Sequence, residues 1–548
     1  MANSDVILIS IELVLAVLLY LLADYADKVL SAKWKLCYVL PLLVGLVFSG
    51  IYGTDACLLG VYLGAVLMLA GFVWEIKRVR HITAALSGLL ILSAVPVVFL
   101  SPGYRAPDYA AEFQKGFETM REYYVLGEHK GIDWEALYEE YLPRFQEARE
   151  KHDKVENYML WNSFCGEFHD GHVHYMANDE DTEKKAWERM YGNDYGLALM
   201  SLDNGKTVAV NVEPQSVPAQ AGIHNGTVIT AWNGQDIEAL KLQMDRTVYD
   251  FPDKENEAFY SALLVAGRRE EQASITYLDE EGRQQTVEAP RRGYYWERLE
   301  STMDTLHQGI AASNLAWVEL DEDTWCLRLK GMMYDSESYN KGNHRQMQQE
   351  LREKLLQLKE EGVDRLVIDL RSNGGGSPQF IMAIAELFAP EGTHTYVYDG
   401  VWDEDKKRFL TDEATGKYVV GNSLSYQGEN LWEEGEIILL VNALTVSAGD
   451  HFIWLMNGFE NVTIMGFTKS NGSAQAVRGV NFEEGSLTFS TVPALCEDGS
   501  FFIDSDASRV SRMPLTVKIP FDEQAVEALF DRGEDYLLNR ALEYLEEK

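Results

Sequence analysis

Two stretches of this 548-residue chain carry side chains that could do chemistry together. In the first, an apolar run of buried-strand length begins at Ile437 and breaks at Ser447. A helical pattern then continues from His451 to Phe459. A serine at a strand-to-helix turn holds its hydroxyl at the sheet edge. The helix behind it offers N–H groups suited to a developing oxyanion. Ser447 followed three residues later by Asp450 also suits a helix N-cap. In the second stretch, another buried strand, Leu366 to Leu370, runs through Arg371, Ser372 and Asn373 into Gly374, Gly375 and Gly376. Glycines there let backbone N–H groups approach a ligand closely, although a plain turn has the same composition. Further upstream, Glu167, His169, Asp170, His172 and His174 crowd into eight residues. Their spacing matches no standard zinc pattern, and no metal site is expected.

Asp369-Leu-Arg-Ser-Asn-Gly-Gly-Gly376, taken with the Ser447 stretch, resembles the signature of the S41 serine peptidases. That family contains the carboxy-terminal processing proteases and their tricorn-core-like relatives. The resemblance implies an α/β catalytic core of the crotonase-like or ClpP-like kind, serine-type peptidase activity, and no cofactor. Asp170-Gly-His172 resembles the segment that precedes the PDZ domain in the family, which makes His172 the general base in the tricorn-like branch. Gly171 stands where that branch has a serine. The resemblance implies an acid about 58 residues after the serine; Asp504 is the choice and Asp506 the second. In the processing-protease branch the base is instead a lysine about 25 residues beyond the serine. Lys469, some three residues early, is the candidate for that alternative. A serine needs such a positioned base to act as a nucleophile. The amides of Ala448 and Gly375 are the natural oxyanion donors.

The elements that must position these groups follow from composition and pattern. The formal net charge is -38. Residues 1–104 hold six acids and six bases, so the whole excess lies beyond them. Such an acidic globule repels nucleic acid, and no nucleic-acid role is expected. The five cysteines show neither metal spacing nor a disulfide framework.

Four apolar runs, about 6–23, 36–52, 56–74 and 82–100, have the length of membrane spans. Lys28, Lys33 and Lys35, then Lys77, Arg78 and Arg80, place the first and third loops inside. The expectation is a four-helix transmembrane segment over 1–104 in contact with a lipid bilayer. Both termini and the catalytic part are then extracytoplasmic in a multi-pass membrane protein, of bacterial origin by the family resemblance.

Residues 105–188 read as a small helical region ending in the Asp-Gly-His turn. Residues 189–292 alternate short strands with turns, and Val217 to Gly234 resembles a PDZ pattern. Tyr195, Gly196 and Leu197 form the loop that the resemblance makes peptide-binding. From 300 to 548 strands and helices alternate as an α/β layer, with a weakly patterned acidic insertion from Asp403 to Glu436 and a closing helix from Glu523 to Glu547. The expected protein is multi-domain: a membrane-anchored serine endopeptidase acting on protein or peptide substrates. The competing reading is a catalytically degenerate scaffold that binds peptides.

Overall fold

The run Leu366–Leu370 enters the middle of a six-stranded sheet. The computed structural model describes residues 107–243, 251–307, 314–333 and 344–548. The sheet order is Leu315–Glu319, Thr324–Leu329, Arg365–Asp369, Glu436–Leu440, Val462–Gly466 and Val517–Lys518. The first pair is antiparallel and the others are parallel. Parallel strands covered on both faces read as continuous apolar runs, because neither set of alternate side chains meets water. Leu366, Ile368, Ile437 and Leu439 pack with Leu355, Ile381, Phe452 and Ile453, which lie on the helices His344–Glu360, Pro378–Phe388 and Ala448–Met456. Val367, Ile438 and Leu440 join a second core with Leu538, Ala541 and Leu545 of the closing helix Tyr536–Glu547.

The closing segment is not one helix. It breaks into Glu523–Val526, a π-helical turn Glu527–Asp531, and Tyr536–Glu547, with Gly533 in the left-handed region between them. The acidic insertion is also more ordered than its pattern predicts. Val420–Gly428 pairs with Gly392–Gly400, which in turn pairs with Ala494–Leu495. Most of Val420–Gly428 is exposed, so polar residues such as Asn422 and Ser423 hide its strand character.

The described residues open with four helices, Tyr109–Tyr123, Gly127–Lys130, Trp134–Lys151 and Lys154–Gly166. Phe113, Phe145, Trp161 and Phe164 are fully buried among them, so these aromatics are core. The strand His174–Ala177 then pairs with Gly485–Val492, whose other neighbour is Ala476–Asn481. That pairing brings the histidine-rich turn beside residues some 300 positions later in the chain. Residues 193–294 contain an antiparallel sheet in the order Gln235–Asp236, Ile229–Trp232, Gln272–Leu278 and Gln284–Pro290, with a hairpin of Ala198–Ser201 and Thr207–Val210.

The observed architecture is a mixed α/β fold, and this corrects the fold class and the location expected above. Among the described residues no helix is long and apolar enough to cross a membrane. The four-helix transmembrane segment and the multi-pass placement therefore have no support. The four apolar runs themselves lie outside the described residues.

One buried ion cluster fastens the sheet to its closing helix. The Arg371 guanidinium donates to both carboxylate oxygens of Asp369, at 2.9 and 2.7 Å, and to both of Asp535, at 2.7 and 2.8 Å. Asp535 also caps the closing helix through the Leu538 amide. Removing one partner leaves buried charges uncompensated. Arg371→Met is expected to lower the unfolding free energy by about 3–5 kcal/mol. Denaturant titration followed by circular dichroism checks this, and an unchanged midpoint would contradict it.

Candidate active site

Ser447 is the residue before the helix Ala448–Met456 and sits at φ 61°, ψ −121°. Side chains rarely adopt this backbone, and it persists only where surroundings fix it. Here the Ser447 amide donates to the Ser473 carbonyl at 3.0 Å and to Asp450 Oδ2 at 3.1 Å. The Asp450 contact is the N-cap pairing that the spacing suggested. The serine therefore occupies both a cap position and a sharp strand-to-helix turn.

The glycine turn lies directly against it. A Cβ on Gly375 would come within 2.6 Å of Ser447 Cβ and 3.1 Å of the Ala448 nitrogen, and Gly375 has φ +84°. The Ala448 amide, first in its helix, has no acceptor among the described residues. The Gly375 amide is not vacant: it donates to Asn373 Oδ1 at 2.9 Å. Asn373 is fully buried, and its backbone carbonyl accepts from the Val446 amide at 3.0 Å. It thus ties the glycine turn to the serine turn.

His172 is buried close by. The Gly171 amide donates to Ser473 Oγ at 2.9 Å, and Ser473 is the residue whose carbonyl holds Ser447. The His172 amide donates to Asp170 Oδ1 at 2.9 Å, which tightens the turn. Burial pushes the His172 imidazole below its usual pKa; Asp170 opposes this and His174 adds to it. Its Nδ1 is buried without a hydrogen-bond partner among the described residues. Gly171 has a packing reason to lack a side chain. A Cβ there would meet Asn471 Oδ1 at 2.3 Å and Ser473 Oγ at 3.1 Å.

Asp504 is buried against the segment that follows Ser473. Its Oδ2 accepts from the Ala474 amide at 3.0 Å and from Gln475 Nε2 at 2.6 Å. Its Oδ1 has no partner among the described residues, and no hydrogen bond joins it to His172. Burial, and Asp170 beside it, raise its carboxyl above the usual range.

The two second choices lie elsewhere. Asp506 is exposed and accepts from the Ser508 amide. Lys469 Nζ donates to the Ser511 carbonyl at 3.3 Å and lies 3.7 Å from Asp253 Oδ2, a pairing that engages it away from Ser447. In the loop expected to bind peptide, Tyr195 and Leu197 are buried. The Gly196 amide is taken by Asp194 Oδ1 at 2.9 Å, and Asp194 is held by Arg298. That amide is therefore not available to a peptide carboxylate.

Several site residues escaped the sequence reading. Gly472 and Ser473, with Ser447, direct their amides at Asp450 Oδ2. His451 donates from Nε2 to the Ala474 carbonyl at 2.8 Å, so its Nδ1 accepts from the Tyr396 hydroxyl. Burial brings its pKa down to about 4, with His172 contributing. With both nitrogens engaged, His451 is a support. Its only sequence signal is its place four residues after Ser447, in the first turn of the helix that follows. Among the described residues no group of three or more His, Cys, Asp or Glu side chains is placed to hold a metal.

Residues 326–505 match the model of peptidase family S41, and residues 105–162 match the tricorn protease C1 domain. Neither match extends over 189–292. Among solved structures, mature CPAF is 12% identical, with 79% of this chain and 96% of that one covered and a TM-score of 0.52. Mature CPAF complexed with lactacystin gives 12%, 79%, 97% and 0.50. The photosystem II D1 C-terminal processing protease is 16% identical over 78% of this chain and 98% of that one, at a TM-score of 0.34. At such identities the likeness to CPAF is one of fold.

The packing around Gly171 generates a direct test. Gly171→Ser should push the segment 471–473 away and lower kcat/KM on an unfolded protein by about 100-fold, the scale of a misplacement near 1 Å. Activity within a few-fold of the parent would contradict the close approach.

Proposed function

We propose that this chain, a serine peptidase of the S41 type, hydrolyses protein or peptide substrates through an acyl-enzyme on Ser447. His172 accepts the Ser447 proton as the hydroxyl attacks the scissile carbonyl, and then returns it to the leaving amine. The Ala448 amide stabilises the oxyanion. The Gly375 amide is bonded to Asn373 Oδ1, so it fixes the glycine turn against Ser447 and is left out as an oxyanion donor. Asp504 is assigned as the acid that favours the imidazolium, together with Asp170, which raises the His172 pKa against its burial. Water then releases the acyl group.

The observation that carries this reading is the double use of Ser473. Its carbonyl fixes the Ser447 amide and its hydroxyl fixes the Gly171 amide, so serine and histidine turns are docked on one residue. The burial-lowered pKa of His172 keeps the ring neutral and able to take a proton near neutral pH. The engagement of Lys469 by Ser511 and Asp253 argues against the lysine alternative. Capture of a substrate carboxy terminus by residues 195–197 is left out of the proposal, because the Gly196 amide is already bonded.

Hydrolysis of an unfolded reporter protein by the full chain tests the assignment. Ser447→Ala and His172→Ala should each lower kcat by about 10⁴-fold or more. Lys469→Ala should stay within about twofold, as surface changes away from the reacting groups do. Survival of His172→Ala together with loss in Lys469→Ala would move the base to the lysine and overturn the proposal.

A further inference from the structure

The one-turn helix Gly127–Lys130 carries a buried cation that the chemistry above does not use. Lys130 is 9% exposed. Its Nζ donates to the His169 carbonyl at 2.8 Å and to the Ser505 carbonyl at 3.3 Å. The first carbonyl lies three residues before His172 and the second follows Asp504. His169 has φ +46°, so the chain is kinked where its carbonyl meets the ammonium. The neighbouring His129 adds two ties to the same segment. Its Nε2 contacts the Asp504 carbonyl at 3.2 Å, and its own carbonyl accepts from the Ala507 amide at 3.2 Å.

The acids around this point are crowded. Asp170 holds the His172 amide, the Tyr124 hydroxyl and the Ser490 hydroxyl. Asp170 and Asp504 are both buried, and Asp450 lies close enough for Asp504 to raise its pKa. Asp170 pushes Asp504 toward its protonated form, whereas Lys130 pulls it toward the carboxylate. Around Asp504 the other polar groups are the Ala474 amide and the Gln475 side-chain amide, both donors. Asp506 is exposed beyond the same turn, and Arg512 donates to the Phe501 carbonyl. An ammonium among buried carboxylates acts strongly on their ionisation, because water screens little there.

We propose that Lys130 is a positioning residue for the peptidase reaction. It draws the His169 and Ser505 carbonyls together, so that the Asp170–His172 turn and Asp504 share one buried space, and its charge there favours the ionised form of Asp504 against burial. The inference rests on the roles given to His172 and Asp504. It adds that the helical region supplies the charge on which the acid depends.

The test is kcat/KM against pH for the full chain on an unfolded reporter, with the parent, Lys130→Met, Lys130→Arg and Asp504→Asn. An ionised Asp504 is needed to favour the imidazolium, and removing the lysine charge raises its pKa. The acid limb of Lys130→Met should therefore move up by roughly one pH unit. Lys130→Arg, which keeps the charge, should retain the limb of the parent. If Lys130→Met does not fold, Lys130→Gln is read in the same way. An unmoved acid limb in the uncharged variant overturns the inference. So does an equal loss in the Met and Arg variants with both limbs unmoved, which would make the role packing alone. Asp504→Asn separates the two levels. If it keeps the activity and limb of the parent, the role of Asp504 fails and the inference falls with it. If it is impaired while Lys130→Met is unmoved, only the inference fails.

Discussion

Three backbone amides converge on one oxygen of Asp450: those of Ser447, Gly472 and Ser473, at 3.1, 2.9 and 3.1 Å. Asp450 is fully buried, and burial, with Asp504 adding to it, pushes its carboxyl up to about 7 against the pull of the Gly472 and Ser473 amides. The interaction binds the serine turn to the segment 470–475, every residue of which is buried. That segment holds most of the site together. Ser473 anchors Ser447 and Gly171, Ala474 anchors His451 and Asp504, and Gln475 reaches both Asp504 and the Ala494 amide. Hydrogen bonds in a buried network strengthen one another, so each partner helps fix the others.

The strain at Ser447 makes sense in this setting. A side chain at positive φ is held from two directions, by Asp450 and by the Ser473 carbonyl. The glycine turn presses from the third, near enough that a methyl group on Gly375 would strike the serine. Close approach of this kind needs glycine, and in the proposed reaction it brings the Ala448 end of the serine turn under the glycine backbone. The parallel sheet supplies the rigidity, since Arg365–Asp369 and Glu436–Leu440 are adjacent strands whose ends carry the two turns.

The groups with local signals were legible in the sequence. Ser447 and the glycines follow apolar runs at adjacent strand ends, and the runs appear as Arg365–Asp369 and Glu436–Leu440. The helix behind Ser447 is Ala448–Met456, starting earlier than its apolar pattern because Ser447 and Asp450 form a capping pair at its first turn. His172 came through resemblance of a three-residue motif. Its neighbours could not be read locally. Ser473 and Gly171 meet across 302 positions, and Lys130 meets Ser505 across 375. Such contacts depend on the pairing of His174–Ala177 with Gly485–Val492, which no local pattern announces. Lys469 misled for a related reason: spacing along the chain put it near the serine, and a buried aspartate on another element, Asp253, draws it aside. The loop at Gly196 resembled a binding loop, but its amide is satisfied by a residue only two positions away.

The central claim is that Ser447 is made nucleophilic by His172. Reaction of the folded full chain with a fluorophosphonate, followed by intact mass and peptide mapping, tests this most directly. The account predicts a single adduct, located on Ser447, whose rate of formation falls by about 100-fold or more in His172→Ala. No adduct on the folded parent, or an adduct formed equally fast without His172, would contradict it.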